Sequence, residues 1–172
     1  NNTKLQPGDS VLLEGGQTFA GPLVPWGEGT AAAPVVFGSY GDGKATISSR
    51  TNNIVFLHNA ARVTIQNLHL TADGANMHVI VSNPGTTSAY VTIRNNLIDD
   101  TGAFGINSPS FADHDWTIQG NTIQHTGATG ITFRGSGFKV IGNIVQDTGL
   151  SPTEAAHGIY AKGPRAQVIG NV

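Results

Sequence analysis

The fold is indicated by an eight-residue sequence motif that the chain repeats with variations. Its fullest copy is WTIQGNTI at positions 116–123. Related copies are VTIRNNLI at 91–98, FKVIGNIV at 138–145, the shorter AQVIGNV at 166–172 and a looser VTIQNLHL at 63–70. Aligned on Leu68, Asn96, Asn121, Asn143 and Asn171, the copies are 28, 25, 22 and 28 residues apart. A period of roughly 20 to 50 residues indicates a solenoid or an array of stacked units.

Each copy has the chemistry of a half-buried strand followed by a tight turn. Apolar and polar residues alternate, and the β-branched residues Val, Ile and Thr are frequent. Gly-Asn or Asn-Asn comes next, and both tolerate the left-handed backbone of a tight turn. A short apolar pair, a Thr-Gly turn and a third strand beginning at Ile106, Ile131 or Ile159 complete the unit. Three short strands and three turns per repeat predict an all-β protein in which each repeat is one coil of a parallel β-helix.

Coils of this kind must stack, because a single coil cannot bury its inner face. Equivalent residues then lie above one another at the strand spacing of about 4.8 Å. The second Asn of each turn recurs at Asn96, Asn121, Asn143 and Asn171. Side-chain amides stacked in this way form hydrogen-bonded ladders. The sequence therefore predicts an Asn ladder along the column.

The repeat and its Asn turns resemble the right-handed parallel β-helix proteins, the broad group that includes the pectate-lyase-like polysaccharide enzymes. The resemblance covers nearly the whole chain. It implies a right-handed, single-stranded β-helix and a secreted, extracellular protein. It does not select one chemistry, because the group holds lyases, hydrolases, epimerases and proteins with no known reaction.

The chain is expected to form one β-helix domain over residues 1–172. Residues 1–50 would supply an N-terminal cap and the first coils, and residues 51–172 the repeating coils. Insertions fall in the turns at 82–89, 108–115 and 150–156, and inserted loops often build the binding face of a solenoid. Val172 stops in mid-coil with no capping segment after it. An open column end invites edge pairing, which predicts an incomplete solenoid with a missing C-terminal segment, or end-to-end association with another chain.

Composition excludes several functional classes. The chain of 172 residues has a formal net charge of −2, which gives no electrostatic case for binding nucleic acid or an anionic membrane. No apolar run is long enough to span a bilayer. The absence of cysteine rules out disulfides and Cys-ligated metals.

The third strand of each coil supplies the first candidate site. With Ile106, Ile131 and Ile159 facing inward, strand alternation places the residues after them outward. Aligning Val79 with Ile106 adds His78. The resulting outer strip, with one residue in the turn beyond, consists of His78, Asn107, Arg134, Tyr160, Lys162 and Arg165. In the pectate-lyase-like enzymes, the resemblance implies, a substrate groove runs along this sheet.

The chemistry of this strip fits β-elimination on a uronic acid. A cation must neutralise the substrate carboxylate so that the neighbouring C–H becomes acidic, and a base must then remove that proton. Arg134 and Lys162 on adjacent coils suit neutralisation, and Lys162, Tyr160 or His157 suits the acid or base role. The alternative is that Arg134 and Lys162 only solvate an outer face.

A second column consists of Asp100, His125 and Asp147, which share one repeat position before Thr-Gly. It could bind a divalent metal such as calcium through Asp100 and Asp147, or be two carboxylates bridged by a protonated His. Calcium would need more oxygen ligands than the column supplies. The side chains could equally cap backbone N–H groups of the turn.

The third candidate is Asp113-His114-Asp115, in the inserted turn before Trp116. In an extended segment, Asp113 and Asp115 point the same way and could form the carboxylate pair of a glycoside hydrolase, which needs carboxyls about 5 to 10 Å apart. The cluster also resembles Asp/His-rich patches of alginate-modifying β-helix enzymes. A solvated loop is the simpler interpretation.

These observations favour a carbohydrate-active protein that acts on an acidic polysaccharide by β-elimination or epimerisation. The alternatives are a glycoside hydrolase and a non-catalytic β-helix that serves as an adhesin, a surface-binding module or a self-stacking structural unit. The enzyme hypothesis requires Arg134, Tyr160 and Lys162 to converge on a groove beside His157 or Asp113. The non-catalytic hypothesis requires a flat strip with these side chains splayed apart.

Overall fold

The protein is described by a computed structural model over residues 3–151 and 156–172. The regular structure of these residues consists of β1 (Ser10–Glu14), β2 (Thr18–Ala20), β3 (Val35–Tyr40), β4 (Ala45–Ser48), β5 (Val55–Leu57), β6 (Val63–Gln66), β7 (Leu68–Thr71), β8 (Ile80–Ser82), β9 (Thr92–Arg94), β10 (Leu97–Asp99), β11 (Ile106–Ser108), β12 (Thr117–Gln119), β13 (Thr122–Ile123), β14 (Ile131–Phe133), β15 (Lys139–Ile141), β16 (Ile144–Val145), β17 (Ile159–Ala161) and β18 (Gln167–Ile169). None of the described residues forms a helix that is long and apolar enough to cross a membrane.

The strands form three parallel sheets that run the length of a column. Sheet 1 has the order β1-β3-β6-β9-β12-β15-β18, sheet 2 the order β2-β4-β7-β10-β13-β16, and sheet 3 the order β5-β8-β11-β14-β17. The chain visits sheets 1, 2 and 3 in turn, and each strand pairs with its equivalent in the next coil. This topology confirms the predicted right-handed parallel β-helix with three strands per coil.

The predicted Asn ladder is present at the turn between sheets 1 and 2. The side-chain amide of Asn96 donates to Asn121 Oδ1 at 3.1 Å, and those of Asn121 and Asn143 donate to the next Oδ1 at 2.9 and 2.8 Å. The ladder begins at Leu68, whose backbone N–H donates to Asn96 Oδ1 at 3.0 Å. The Asn side chains also form hydrogen bonds with backbone N–H and C=O groups of neighbouring coils. The polar groups of these turns therefore have hydrogen-bond partners inside the column.

The core is a continuous stack of inward-facing apolar side chains. Isoleucines at Ile65, Ile93 and Ile118 in sheet 1 are fully buried, and Val140 continues the same row. Three aromatic rings fill the wider part of the column, where Phe138 stacks on Phe133 at 4.5 Å and on Trp116 at 5.2 Å. Strand alternation therefore sends the residues between them outward, where function can reside.

One predicted alignment is wrong. Ile80, and not Val79, pairs with Ile106, so the outward neighbour of Asn107 is Val81. Val79, Ile80 and Val81 are three consecutive buried apolar residues, and a run without alternation does not reveal its phase. His78 therefore lies before the strand and outside the outward row in which it was expected. The insertion expected at 150–156 falls partly outside the described residues.

Candidate functional site

A cleft of about 380 Å³ lies on the outer face of sheet 3, and we call it the basic cleft. Its lining consists of Phe104, Asn107, Ser108, Pro109, Thr129, Thr132, Arg134, His157 and Tyr160. Four of the residues expected from the sequence, Asn107, Arg134, His157 and Tyr160, are thus brought together. None of these lining residues, all from the described part of the chain, is a carboxylic acid.

The register of sheet 3 explains this convergence. Asn107, Thr132 and Tyr160 are paired partners on β11, β14 and β17, and they form one outward row. Arg134 and His157 flank that row, at the end of β14 and in the turn before β17. The His157 N–H donates to Thr129 Oγ1 at 3.2 Å, which attaches its turn to the preceding coil.

Arg134 is an exposed cation at the edge of the basic cleft. Its guanidinium carbon lies 5.6 Å from the ring centre of Phe111, an attractive cation–π geometry. In the described part of the chain, no carboxylate forms an ion pair with Arg134. The described residues therefore leave the charge of Arg134 without an ion-pair partner.

His157, Tyr160 and Lys162 form a three-membered stack. The rings of His157 and Tyr160 are nearly parallel, with centres 4.9 Å apart and an interplanar angle of 14°. The Lys162 ammonium lies 5.0 Å from the Tyr160 ring centre. Lys162 does not itself line the basic cleft, but it places a second positive charge beside Tyr160.

Three further predicted residues lie on the turn that leads from sheet 3 to sheet 1. His114 Nδ1 is 2.9 Å from Asp115 Oδ2, and the His114 ring contacts Tyr90 edge-on. Arg165 donates from its guanidinium to Ser136 Oγ at 3.2 Å. None of His114, Asp115 and Arg165 lines the basic cleft.

Asp113, which was expected to be one carboxylate of a hydrolytic pair, is fully buried. Its carboxylate accepts hydrogen bonds from Ser82 Oγ at 2.5 Å, Ser108 Oγ at 2.7 Å and the Ser88 N–H at 2.8 Å. Asp115 is partly exposed, so the two carboxylates do not face one substrate as a hydrolytic pair. The chain bends at Asp115, which has a φ of 56°, and this bend removes the alternation that the extended segment was expected to have. Burial raises the pKa of Asp113, and the three hydrogen bonds oppose that rise.

A second cleft, also of about 380 Å³, lies at the turn between sheets 2 and 3, and we call it the acidic cleft. Its lining consists of Gly74, Asn76, Asp100, Thr101, Gly102, His125, Gly127, Leu150 and Ser151. The coils approach closely here, since a Cβ on Gly127 would lie 2.2 Å from the Gly102 carbonyl oxygen. Only glycine fits that position.

The predicted column of Asp100, His125 and Asp147 is present, but its contacts differ from the expectation. All three have left-handed backbones, with φ of 52°, 48° and 49°. His125 Nδ1 lies 2.8 Å from Asp99 Oδ1, and His125 Nε2 lies 3.8 Å from Asp147 Oδ2. The imidazole therefore bridges two carboxylates, as one hypothesis proposed, but the first carboxylate is that of Asp99 and not of Asp100.

Asp99 and His69 were not among the residues selected from the sequence. His69 Nδ1 contacts Thr46 Oγ1 at 3.3 Å, and His69 Nε2 lies 4.0 Å from Asp99 Oδ2. The hydrogen bond that His125 donates to Asp99 is the largest cause that raises the pKa of His125, whereas burial lowers the pKa of His69. Asp99 lies on a strand and His125 in a turn of the next coil, so only the coil register could have joined them.

The metal prediction concerned Asp100 and Asp147. Among residues 3–151 and 156–172, no group of three His, Cys, Asp or Glu side chains could hold a metal ion. Calcium binding at Asp100 and Asp147 therefore stays a prediction.

His78, which was expected in the outward row, lies beside the basic cleft and does not line it. The His78 ring packs at a tilt of 34° against the cleft residue Phe104, with ring centres 5.3 Å apart, and burial lowers the pKa of His78. Its backbone N–H donates to Asn53 Oδ1 at 3.0 Å. His78 thus supports the cleft wall instead of joining the outward row.

Comparison of the sequence with known protein families and with curated proteins finds no match to either. The assignment of the chain to the parallel β-helices therefore depends on the architecture itself.

Proposed function

We propose that the protein is a polysaccharide-modifying enzyme of the pectate-lyase-like kind, which acts on uronic acid residues of an acidic polysaccharide in the basic cleft. The observation that supports this proposal best is the composition of that cleft. It places the cation Arg134 beside two proton-exchanging groups, His157 and Tyr160, and it contains no carboxylic acid among its described lining residues. An anionic sugar is the ligand that such a lining complements.

In the proposed reaction, Arg134 binds the substrate carboxylate. A guanidinium presents paired N–H donors that match a carboxylate in geometry and charge. Neutralising the carboxylate stabilises the negative charge that develops when the adjacent C5–H bond is broken. Asn107, on the neighbouring coil, supplies an amide that can bind sugar hydroxyls.

His157 then removes the C5 proton, since an imidazole accepts protons near neutral pH. The C5–H electron pair forms the C4=C5 double bond, and the C4–O bond breaks. The Tyr160 hydroxyl donates its proton to the departing O4. In an epimerase, the C4–O bond stays intact and a proton returns to C5 from the opposite face, so the product distinguishes the two reactions.

The cleft supports a glycoside hydrolase less well. Hydrolases of that kind use two carboxyl groups about 5 to 10 Å apart. The basic cleft has no carboxylic acid in its described lining, and Asp113 behind it is buried with three hydrogen-bond donors. A non-catalytic binding protein would use Arg134 in the same way but would not need His157.

The test is incubation of the protein with alginate, polygalacturonate and hyaluronate. Elimination produces an unsaturated uronate, which is followed by its ultraviolet absorbance, and epimerisation is followed by proton NMR of the polymer. We expect turnover of one polymer by the wild type, and a loss of about 100-fold or more in His157→Ala. Binding without any product would favour the non-catalytic alternative.

A further inference from the structure

Phe111 is the most exposed large apolar side chain close to the basic cleft. It is 75% exposed, whereas the other six phenylalanines are buried (Phe37, Phe133 and Phe138) or partly buried (Phe19, Phe56 and Phe104). A solvated phenyl ring gains nothing from the hydrophobic effect. Its position therefore calls for an explanation outside the core.

The loop that carries Phe111 is anchored on both sides of the ring. Ser110 before it is 5% exposed, and its Oγ donates to the Thr86 carbonyl at 2.8 Å. The Ala112 N–H donates to Ser110 Oγ at 3.2 Å. Asp113 after it is fully buried and accepts three hydrogen bonds. A rigid backbone thus presents an exposed ring, which is the arrangement that minimises the ordering cost of binding.

The ring also lies next to the cation of the basic cleft. Arg134 is 5.6 Å from the Phe111 ring centre, and Pro109 of the same loop lines the cleft. A sugar polymer whose carboxylate binds Arg134 can therefore place a neighbouring ring at Phe111. The C–H groups on one face of a pyranose ring pack well against a flat aromatic ring, whose face is electron-rich.

We propose that Phe111 is a stacking platform for the sugar ring adjacent to the one whose carboxylate binds Arg134. This inference rests on the proposed function, because it takes an acidic polysaccharide as the ligand. It assigns a second role to the insertion at 108–115: Asp113 holds the loop from inside, and Phe111 binds substrate from outside. Phe111 offers a flat apolar surface, and Arg134 offers a cation next to it. Together they favour polymers in which one sugar presents a carboxylate and its neighbour presents an apolar ring face.

The test is the affinity of the wild type, Phe111→Ala, Phe111→Tyr, Phe111→Leu and Arg134→Ala for polygalacturonate, alginate and hyaluronate, measured by affinity electrophoresis at two salt concentrations. We expect Phe111→Ala to weaken binding about three- to tenfold and Phe111→Tyr to retain it. Phe111→Leu should also bind less well, because it lacks a flat face. Tyr40→Ala removes an aromatic ring that is 53% exposed at the end of β3, in another sheet, and should change nothing.

Salt dependence separates this inference from the proposed function. Phe111→Ala should retain the salt dependence of the wild type, whereas Arg134→Ala should reduce it, because only the second substitution removes a charge. Wild-type affinity in Phe111→Ala or Phe111→Leu, together with weaker binding by Arg134→Ala, would overturn the platform and leave the cleft assignment in place. Failure of the wild type to bind any of the three polymers would overturn both.

Discussion

The basic cleft and the acidic cleft have the same volume, about 380 Å³ each, and opposite chemistry. Both are built from outward residues on successive coils of one column. In the basic cleft, Arg134 has no carboxylate partner among the described residues, whereas in the acidic cleft His125 is already held by Asp99 and Asp147. The difference teaches that the β-helix determines which side chains lie next to one another. Whether a charge there is paired, as at His125, or unpaired among the described residues, as at Arg134, depends on the residues of the neighbouring coils.

The largest effect is expected from the ladder that supports both clefts. Asn121 is buried, accepts two hydrogen bonds from Asn96, and donates to the Ile93 carbonyl at 2.9 Å and Asn143 Oδ1 at 2.9 Å. Asn121→Ala should therefore lower the free energy of unfolding by about 3 kcal/mol or more, because several buried polar groups lose their partners. Urea unfolding followed by circular dichroism measures this loss of unfolding free energy.

The control for the ladder is Asn95→Ala, which changes the exposed Asn of the neighbouring turn position. Asn95 has a φ of 56°, so this variant carries only the strain of a left-handed alanine, about 1 kcal/mol. Equal losses in the two variants would show that the amide stack does not stabilise the column.

The next effect tests the cation of the basic cleft. Arg134→Ala should lower kcat/KM on the acidic polymer by about 100-fold or more, since it removes the charge that stabilises the developing carbanion. Arg94→Ala removes an exposed cation of sheet 1 that instead donates to Gln66 Oε1 at 2.6 Å, and should leave kcat/KM unchanged. A similar loss in both variants would indicate a general effect of net charge, and would contradict a specific role for Arg134.

A third prediction compares the carboxylates behind the two clefts. Asp113→Ala should lower the free energy of unfolding by about 2 kcal/mol, because the hydroxyls of Ser82 and Ser108 and the Ser88 N–H lose a buried acceptor. Asp99→Ala should cost clearly less, because its side chain is 21% exposed and the side chain of its partner His125 is 49% exposed.

The cost of Asp113→Ala should also depend on pH. Burial raises the pKa of Asp113 in the folded protein above 3.8, its value in the unfolded chain. Proton binding by Asp113 therefore stabilises the folded state below pH 3.8. This stabilisation is lost as the pH rises through the raised pKa of the folded state. The substitution should therefore cost more at acid pH than at neutral pH. A cost that grows with pH would mean that the ionised carboxylate is the favoured form.

The smallest effect concerns the titration of His125. Asp99 raises the pKa of His125 above 6.5, chiefly through its hydrogen bond, so the stability contributed by the His125 proton is present below 6.5 and is lost as the pH rises through the raised value. In NMR titrations, Asp99→Asn should lower the pKa of His125 more than Asp100→Asn does, because Asp100 contributes least. An equal effect of the two variants would contradict the assigned partner.

The fold was predictable because its signal is repeated. The period places Asn96, Asn121, Asn143 and Asn171 in one turn position, and a stack of equivalent residues has only one register. The same register brought Asn107 and Tyr160 together. The predicted register was wrong where the repeat is irregular. The apolar run at 79–81 has no alternation, so the strand was aligned one residue too early and His78 was wrongly placed in the outward row.

The sites were less predictable because they depend on the turns. The left-handed backbone at Asp115 separates it from Asp113, and nothing in the sequence marks that bend. The Asp99–His125 contact joins a strand residue to a turn residue 26 positions later. Phe111 could not be selected from the sequence, because neither its exposure nor the anchoring of its loop follows from the composition of the insertion.

The most direct test of the central claim is a crystal structure of His157→Ala soaked with a uronate oligosaccharide of the polymer that the wild type modifies or binds. This substitution removes the proposed base, so the oligosaccharide should remain intact. Our account predicts a sugar carboxylate on the Arg134 guanidinium and the adjacent ring on Phe111, with the acidic cleft empty of sugar. An oligosaccharide bound at the acidic cleft, or on sheet 1 away from Arg134, would contradict it.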